Sequence, residues 1–375
     1  MGIVLSKQIC EKQDLFVSGQ GGYVRYRIPA LAVSEQGTVL AFCEARKYTG
    51  KDTDQIDLFL RRSFDGGRTF ADAQVLASEE GWVCGNPAPV VDRSTGIIWL
   101  LFCKNLKDGD ETMICEGKAS RTVWVTHSRD DGATWSKPEE ISATIKKPEW
   151  SWYATGPCHG AQLGSGRLVI PCDHIVMKDK NRQDPYHSHI VYSDDNGRNW
   201  RIGGSADEGT NESAVLETRA GALYLNCRNK YRLPDGGNFR SIAWSMDGGD
   251  SFAPIVHDAA LPEPICQASV CRLTNAAHHD RNRVLFANPA ARCGNAGGRH
   301  RMTVRLSYDE CRTWPIARVI HRGAAAYSDI CALSDAEICC MYECGDGDFP
   351  YARITLARFN LAWLTEGRDA LDLAE

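Results

Sequence analysis

The sequence contains no C-x-x-C pair, which excludes the tetrahedral thiolate metal sites that this spacing builds. It has no apolar run long enough to cross a bilayer as a helix. No Ser/Gly-rich tract, Pro-rich tract, charge block or low-complexity segment interrupts its 375 residues, so nothing marks an internal domain boundary. A single domain spanning 1–375 is the expectation. Positive charge is in deficit: 43 Lys and Arg stand against 48 Asp and Glu, a net charge of -5. That excludes a general polyanion binder such as a nucleic-acid protein, though not a local basic pocket for one small anion. A long amphipathic helical pattern is also missing.

Sixteen cysteines are present, and they are scattered. Cys43, Cys103, Cys172, Cys227 and Cys339 sit inside apolar runs and read as small buried hydrophobes in the reduced state. Met1 to Lys7 is too short for a secretory h-region. Its M-G-x-x-x-S pattern, through Gly2 and Ser6, matches a myristoylation signal. The expected location is the cytosol, or outside the cell for a mature protein whose export signal has been removed.

What the sequence does have is a repeat. The pattern S-x-D-x-G-x-[TSN]-[WF] occurs at Ser63–Phe70, Ser128–Trp135, Ser193–Trp200 and Ser245–Phe252. A fifth copy, Ser307–Trp314, has Cys311 where glycine is expected. Each copy follows a short strand-like run, such as Ile56 to Arg62 or Thr122 to Thr126. The chemistry is that of a hairpin turn: Ser and Asp satisfy the turn's backbone donors, glycine supplies a positive φ, and the aromatic ring anchors the loop. Cys311 is therefore expected to be strained, and Cys311→Gly to raise thermal stability.

A second repeat lies between the boxes. Six hairpins turn near Glu35-Gln36-Gly37, Ser94-Thr95, Gly164-Ser165-Gly166, Arg219-Ala220-Gly221, Ala277-His278 and Ser334-Asp335-Ala336. Antiparallel partners have position numbers summing to twice the turn centre. On that basis Arg27 falls opposite Arg46, Glu212 opposite Arg228, and Tyr327 opposite Glu343. After the sixth hairpin comes only one strand, Ala352 to Phe359, and the stretch around Gln13 to Val17 is available to complete the unit. The expected fold is an all-β, six-bladed β-propeller of four-stranded antiparallel blades, closed by pairing of N- and C-terminal strands.

The open ends of these hairpins share one mouth, and the boxes lie at the other end. Arg27, Arg46, Glu212, Arg228, Tyr327 and Glu343 belong to the mouth. Asp52 joins them from the loop before Ile56, and Arg299 from just before Met302. Buried like charges need a compensating partner, and an anionic ligand supplies it. The arginine fork binds a carboxylate bidentately.

The boxes, together with Tyr26-Arg27-Ile28-Pro29, Asn211-Glu212-Ser213 and Ala326-Tyr327-Ser328-Asp329, resemble the exo-α-sialidase (neuraminidase) family with its Asp-box (BNR) repeats. The resemblance runs from about Tyr26 to Glu343. It implies that Arg27, Arg228 and Arg299 clamp a substrate carboxylate, with Arg292 and Arg301 as rivals for the third position. It makes Asp52 the acid/base, with Asp54 and Asp57 as rivals, and places Arg46 on the substrate nearby. Tyr327 becomes the nucleophile, Glu212 its base, and Glu343 the brace of Arg27.

A sialic acid carries its carboxylate on the anomeric carbon, where a carboxylate nucleophile would meet it at close range. A neutral tyrosine avoids that repulsion but needs a base within reach. Two displacements at one carbon imply retention. The implied partners are sialylated oligosaccharides, glycoproteins or glycolipids, with no metal or cofactor. Two alternatives are a non-catalytic sialoglycan-binding propeller, and a glycosidase or trans-glycosidase for a related keto-acid sugar. Asn86, Trp150, Trp152, Tyr153, His159, Asp173 and His174 are candidates for the cavity wall, with packing as the other reading.

Overall fold

The structure is a computed structural model that describes residues 7–176, 185–231, 238–291, 298–333 and 337–371. Gly2 and Ser6 of the N-terminal pattern, Arg292, and the turn residues Ser334, Asp335 and Ala336 lie outside them. The described helices are the short segments Glu111–Cys115, Ser142–Ile145 and Leu361–Leu364; none is long and apolar enough to cross a membrane.

Strands follow one another in groups of four, paired in chain order. The first group is Arg25–Val33, Val39–Arg46, Ile56–Ser63 and Gln74–Ala77. The second is Trp82–Asp92, Ile97–Leu106, Thr122–Ser128 and Glu139–Glu140. Next come Trp150–Thr155, Leu168–Val176, Tyr186–Ser193 and Arg201–Ser205, with the two-residue strand Ala161–Gln162 as an addition paired to Leu168–Val176. The fourth is Thr210–Glu217, Leu223–Asn229, Phe239–Ser245 and Val256–Pro262. The fifth joins Ser269–Thr274, Arg283–Pro289 and His300–Ser307 to the first half of the long strand Ile316–Ala332. Its second half opens the sixth group, followed by Glu337–Cys344 and Arg353–Asn360. The N-terminal strand Cys10–Val17 pairs antiparallel with Arg353–Asn360.

Burial follows position within a group. Val39–Arg46 is buried along its whole length, because apolar side chains cover both of its faces, whereas the last strands Gln74–Ala77 and Arg201–Ser205 are only partly buried. The core is a series of clusters between successive groups. Val90, Trp99 and Leu101 of the second pack on Tyr153, Ile170 and Cys172 of the third. Leu31, Val39 and Ala41 of the first pack on Met341, Ile354 and Leu356 of the sixth. Cys43, Cys103, Cys172, Cys227 and Cys339 are buried free thiols.

The five box turns share one hydrogen-bond scheme. The serine hydroxyl accepts from the backbone N–H four residues on: Gly67 (2.8 Å), Gly132 (2.9 Å), Gly197 (2.9 Å), Gly249 (2.8 Å) and Cys311 (3.0 Å). The aspartate takes the serine hydroxyl and the backbone and side chain of the following Thr, Asn or Ser, as Asp130 does with Thr134. Two consecutive residues take positive φ, as at Asn196 (62°) and Gly197 (85°), the signature of a type I′ hairpin turn. Glycine is required at position 197 for space as well, since a Cβ there would lie 2.1 Å from Trp99. Cys311 holds the same backbone at φ 68°, with its side chain buried among Tyr224 and Trp314.

The first strand of five groups carries a register shift near the mouth: Arg27/Ala30, Gly85/Ala88, Trp150/Tyr153, Thr210/Ser213 and Ala325/Ser328. A bulge adds one residue, bends the strand and re-aims side chains. It also corrects the register expected for the first hairpin: Arg27 pairs with Glu44, and Arg25 with Arg46. The extra residue is Ile28, at φ 57°. In the fourth and sixth hairpins the expected sums hold as far as Ser213↔Cys227 and Ser328↔Tyr342. Glu212 and Tyr327 then sit within the bulges.

Candidate active site

The open ends of the hairpins surround a cavity of about 700 Å³. Arg27, Arg46, Asp52, Glu212, Arg228, Arg299 and Tyr327 line it, and no residue of a box does. Glu343 lies behind the wall with no exposed surface.

Tyr327 and Glu212 meet at the floor. The phenol donates to Glu212 Oε1. Arg228 Nη1 donates to Glu212 Oε2 (2.7 Å) and to Tyr327 Oη (3.1 Å). Burial pushes the phenol well above its ordinary range; Glu212 adds to that, and Arg228 and Arg299 oppose it. Burial also pushes Glu212 up, but Arg228 and the Tyr327 hydrogen bond outweigh it and hold the carboxyl below its usual range. The resting pair is therefore a protonated phenol on an ionised carboxylate.

Two other arginines flank the tyrosine ring, with Arg27 5.1 Å and Arg299 5.3 Å from its centroid. Glu343 grips Arg27 through Nε (2.9 Å) and Nη2 (3.1 Å), and accepts from the backbone N–H of Ile28 (2.8 Å) and Tyr327 (3.1 Å). One buried carboxylate thus positions both the first arginine and the tyrosine. Arg299 donates to Tyr351 Oη (3.0 Å) and to the Ile265 carbonyl (3.0 Å). Its rival Arg301 is exposed and does not line the cavity.

Asp52 stands at the mouth, its side chain 80% exposed, 2.7 Å from Arg46 Nη1 and 3.9 Å from Arg27 Nη1. The surrounding walls push its carboxyl up, but Arg46 and Arg27 prevail and hold it below the ordinary range. Arg46 is itself fixed by Glu44 (2.6 Å). The rival aspartates have structural work. Asp54 accepts from the backbone N–H groups of Tyr48, Thr49 and Gly50, shaping the loop that carries Asp52. Asp57 accepts from the Tyr23 hydroxyl (2.6 Å).

Of the proposed wall residues, Asn86, Trp152 and Asp173 line the cavity. Trp150, Tyr153, His159 and His174 do not. Trp150 stacks on His174 at 3.7 Å, and His189 bonds both His174 (3.0 Å) and Tyr153 (3.1 Å), so these rings fill the core of the third group. His159 pairs with buried Asp329 (2.7 Å).

Sequence reasoning missed Tyr351, Arg121, Glu111 and Lys230, which also line the cavity. Arg27 stacks over the Tyr351 ring at 4.1 Å, and Arg121 over Trp152 at 4.4 Å. All four follow the second strand of their group, in the same type of loop as Asp52 and Arg299. Among the described residues, no three His, Cys, Asp or Glu side chains converge as a metal site requires.

A repeat-built antiparallel β-protein whose arginine-rich pocket encloses a Tyr–Glu pair and an acidic mouth residue has the construction of a glycosidase for an anionic sugar. Comparison with known proteins agrees. A family model for the BNR repeat-like domain matches residues 37–340. A sialidase of Micromonospora viridifaciens is 33% identical, the match covering 94% of this chain and 54% of that protein. An exo-alpha-sialidase of Aspergillus fumigatus is 32% identical, covering 92% of this chain and 86% of its own. The structure of Hadza microbial sialidase Hz136 superimposes with a TM-score of 0.81 at 26% identity, over 94% of this chain and 69% of that one. The chain belongs to the sialidase family with BNR repeats, glycoside hydrolases with a β-propeller-type fold. It spans about half the length of the Micromonospora relative.

Proposed function

We propose that this chain is an exo-α-sialidase that releases terminal α-linked sialic acid from oligosaccharides, glycoproteins or glycolipids with retention of configuration. The observation that carries the reading is the Tyr327–Glu212 hydrogen bond enclosed by Arg27, Arg228 and Arg299.

In this scheme the three arginines hold the sugar carboxylate and oppose the charge of the oxocarbenium-like transition state. Tyr327 Oη bonds to the anomeric carbon as its proton passes to Glu212. Asp52 gives a proton to the departing glycosidic oxygen. Asp52 then takes a proton from the incoming water, whose oxygen replaces Tyr327 on the same carbon, and the phenolate recovers its proton from Glu212. The bound carboxylate offsets Arg27 and Arg46, so Asp52 is protonated more readily with substrate present.

The same reading makes the six strand groups the blades of one six-bladed propeller domain. The pairing of Cys10–Val17 with Arg353–Asn360, and the cluster joining first and sixth groups, support it.

A fluorogenic α-sialoside offered to wild type, Asp52→Ala, Tyr327→Phe and Glu212→Gln tests the assignment. Turnover by the wild type and a loss of orders of magnitude in each variant is expected. Saturable binding without turnover would make the chain a sialoglycan-binding protein instead. Formation of a new sialoside with an added acceptor sugar would make it a transferase.

A further inference from the structure

Asp173, on the strand Leu168–Val176, lines the cavity floor with no exposed surface. Its Oδ2 accepts from Asn211 Nδ2 at 2.9 Å. Its Oδ1 is buried and has no hydrogen-bond partner, and no described cation forms an ion pair with it. A buried carboxylate left in that state costs several kcal/mol, and taking up a proton is the way out. A protonated carboxyl carries an O–H that must find an acceptor. No protein acceptor bonds Oδ1, and the space that Asp173 borders is the cavity.

We propose that Asp173 donates a hydrogen bond to an oxygen of the bound sugar, and so determines which sugars the pocket accepts. This rests on the sialidase reading above. The groups around Asp173 fit the assignment. Glu212 comes from Thr210–Glu217, Glu111 from the helix Glu111–Cys115, Arg228 from Leu223–Asn229 with Lys230 just beyond, Tyr186 from Tyr186–Ser193, and Tyr153 from Trp150–Thr155. Burial pushes the Asp173 carboxyl well above its ordinary range; Glu212 and Glu111 add to this, and Lys230 and Arg228 oppose it. These surroundings favour the protonated, donating form of the carboxyl. Ionisation at higher pH removes the donor and places a second negative charge beside Glu212.

The test is a double-mutant cycle between residue and substrate. Wild type, Asp173→Asn and Asp173→Leu are assayed on the fluorogenic α-sialoside and on analogues that each lack one exocyclic oxygen. In the wild type one analogue should lose about tenfold in kcat/KM, the scale of one net hydrogen bond. Asp173→Leu should lose a similar factor on the parent compound and nothing further on that analogue. Asp173→Asn, whose amide still donates, should keep the discrimination and lose the second, more alkaline decline in kcat/KM that Asp173 ionisation adds beyond the limb set by Asp52. Equal penalties for every analogue in wild type and Asp173→Leu would overturn the assignment. If Asp173→Leu does not fold, a second, more alkaline decline that persists unchanged in Asp173→Asn would overturn it. A wild type inert on the parent sialoside would overturn the functional reading itself, which additivity in an active enzyme would not.

Discussion

Replacing Glu343 by glutamine tests whether one buried carboxylate holds the site together. Oε1 accepts from Arg27 Nε and the Ile28 N–H, and Oε2 from Arg27 Nη2 and the Tyr327 N–H. Either orientation of a glutamine amide turns an NH2 group toward two donors and leaves Arg27, itself buried, without a counter-charge. Breaking a buried pair in this way costs about 3 kcal/mol or more. Unfolding entropy near 2.1 cal/mol/K per residue gives about 0.8 kcal/mol/K for this chain, so Tm should fall by about 4 °C. The released Arg27 no longer fixes the sugar carboxylate, and the Tyr327 backbone loses an acceptor, so kcat/KM for an α-sialoside should fall by about 100-fold, equivalent to about 2.7 kcal/mol. Glu310→Gln is the control. It breaks a pair with Arg272 (2.6 Å) in the fifth box, away from the cavity, and should lower Tm with kcat/KM unchanged. Unaltered kcat/KM in Glu343→Gln, or unaltered Tm, would refute the reasoning.

Arg27→Lys keeps the charge but loses the fork, and should weaken binding of a sialic acid analogue by about 10- to 100-fold, the worth of a charge-assisted contact; calorimetric Kd values check this. Arg46 favours ionised Asp52, so Arg46→Met should raise the Asp52 pKa. The alkaline fall of kcat/KM, where the general acid is lost, should then move to higher pH, and a shift to lower pH would contradict the pairing. Asp52→Ala should abolish turnover of an unactivated sialoside with Tm changed by less than about 1 °C, since Asp52 is exposed and the buried Arg46 keeps Glu44 as its counter-charge. Cys311→Gly looked stabilising from sequence, but its buried side chain changes the balance. Relief of about 1 kcal/mol of left-handed strain is offset by glycine's extra unfolded-state entropy and by lost burial, so differential scanning calorimetry should find Tm unchanged or lowered by about 1 °C.

The repeats were legible because each box is a local motif. Ser, Asp and the residue four beyond the aspartate satisfy one another within a single turn, so spacing alone reveals the bond pattern, even where Cys311 replaces glycine. The meeting of Glu212 with Arg228 was legible because register in a hairpin is arithmetic until a bulge intervenes. At Ile28 a bulge does intervene, and the expected pairing of Arg27 with Arg46 became Arg27 with Glu44. No simple period marks a residue that takes φ 57°. Arg299 could not be separated from Arg301 by spacing, because both flank the start of one strand; only the structure turns one inward and leaves the other exposed. Tyr351, Arg121, Glu111 and Lys230 lie on connecting loops, whose paths are set by tertiary contacts rather than by periodicity. Their position after the second strand of each group was the available signal.

The role of Tyr327 is tested most directly by trapping. A 2,3-difluoro sialic acid has a good leaving group at the anomeric carbon and a neighbouring fluorine that slows hydrolysis of whatever bond forms there. Peptide mass spectrometry should find the fluorosialyl group on the peptide carrying Tyr327, and no adduct in Tyr327→Phe. An adduct on Glu212 or Asp52 in the wild type would contradict the account.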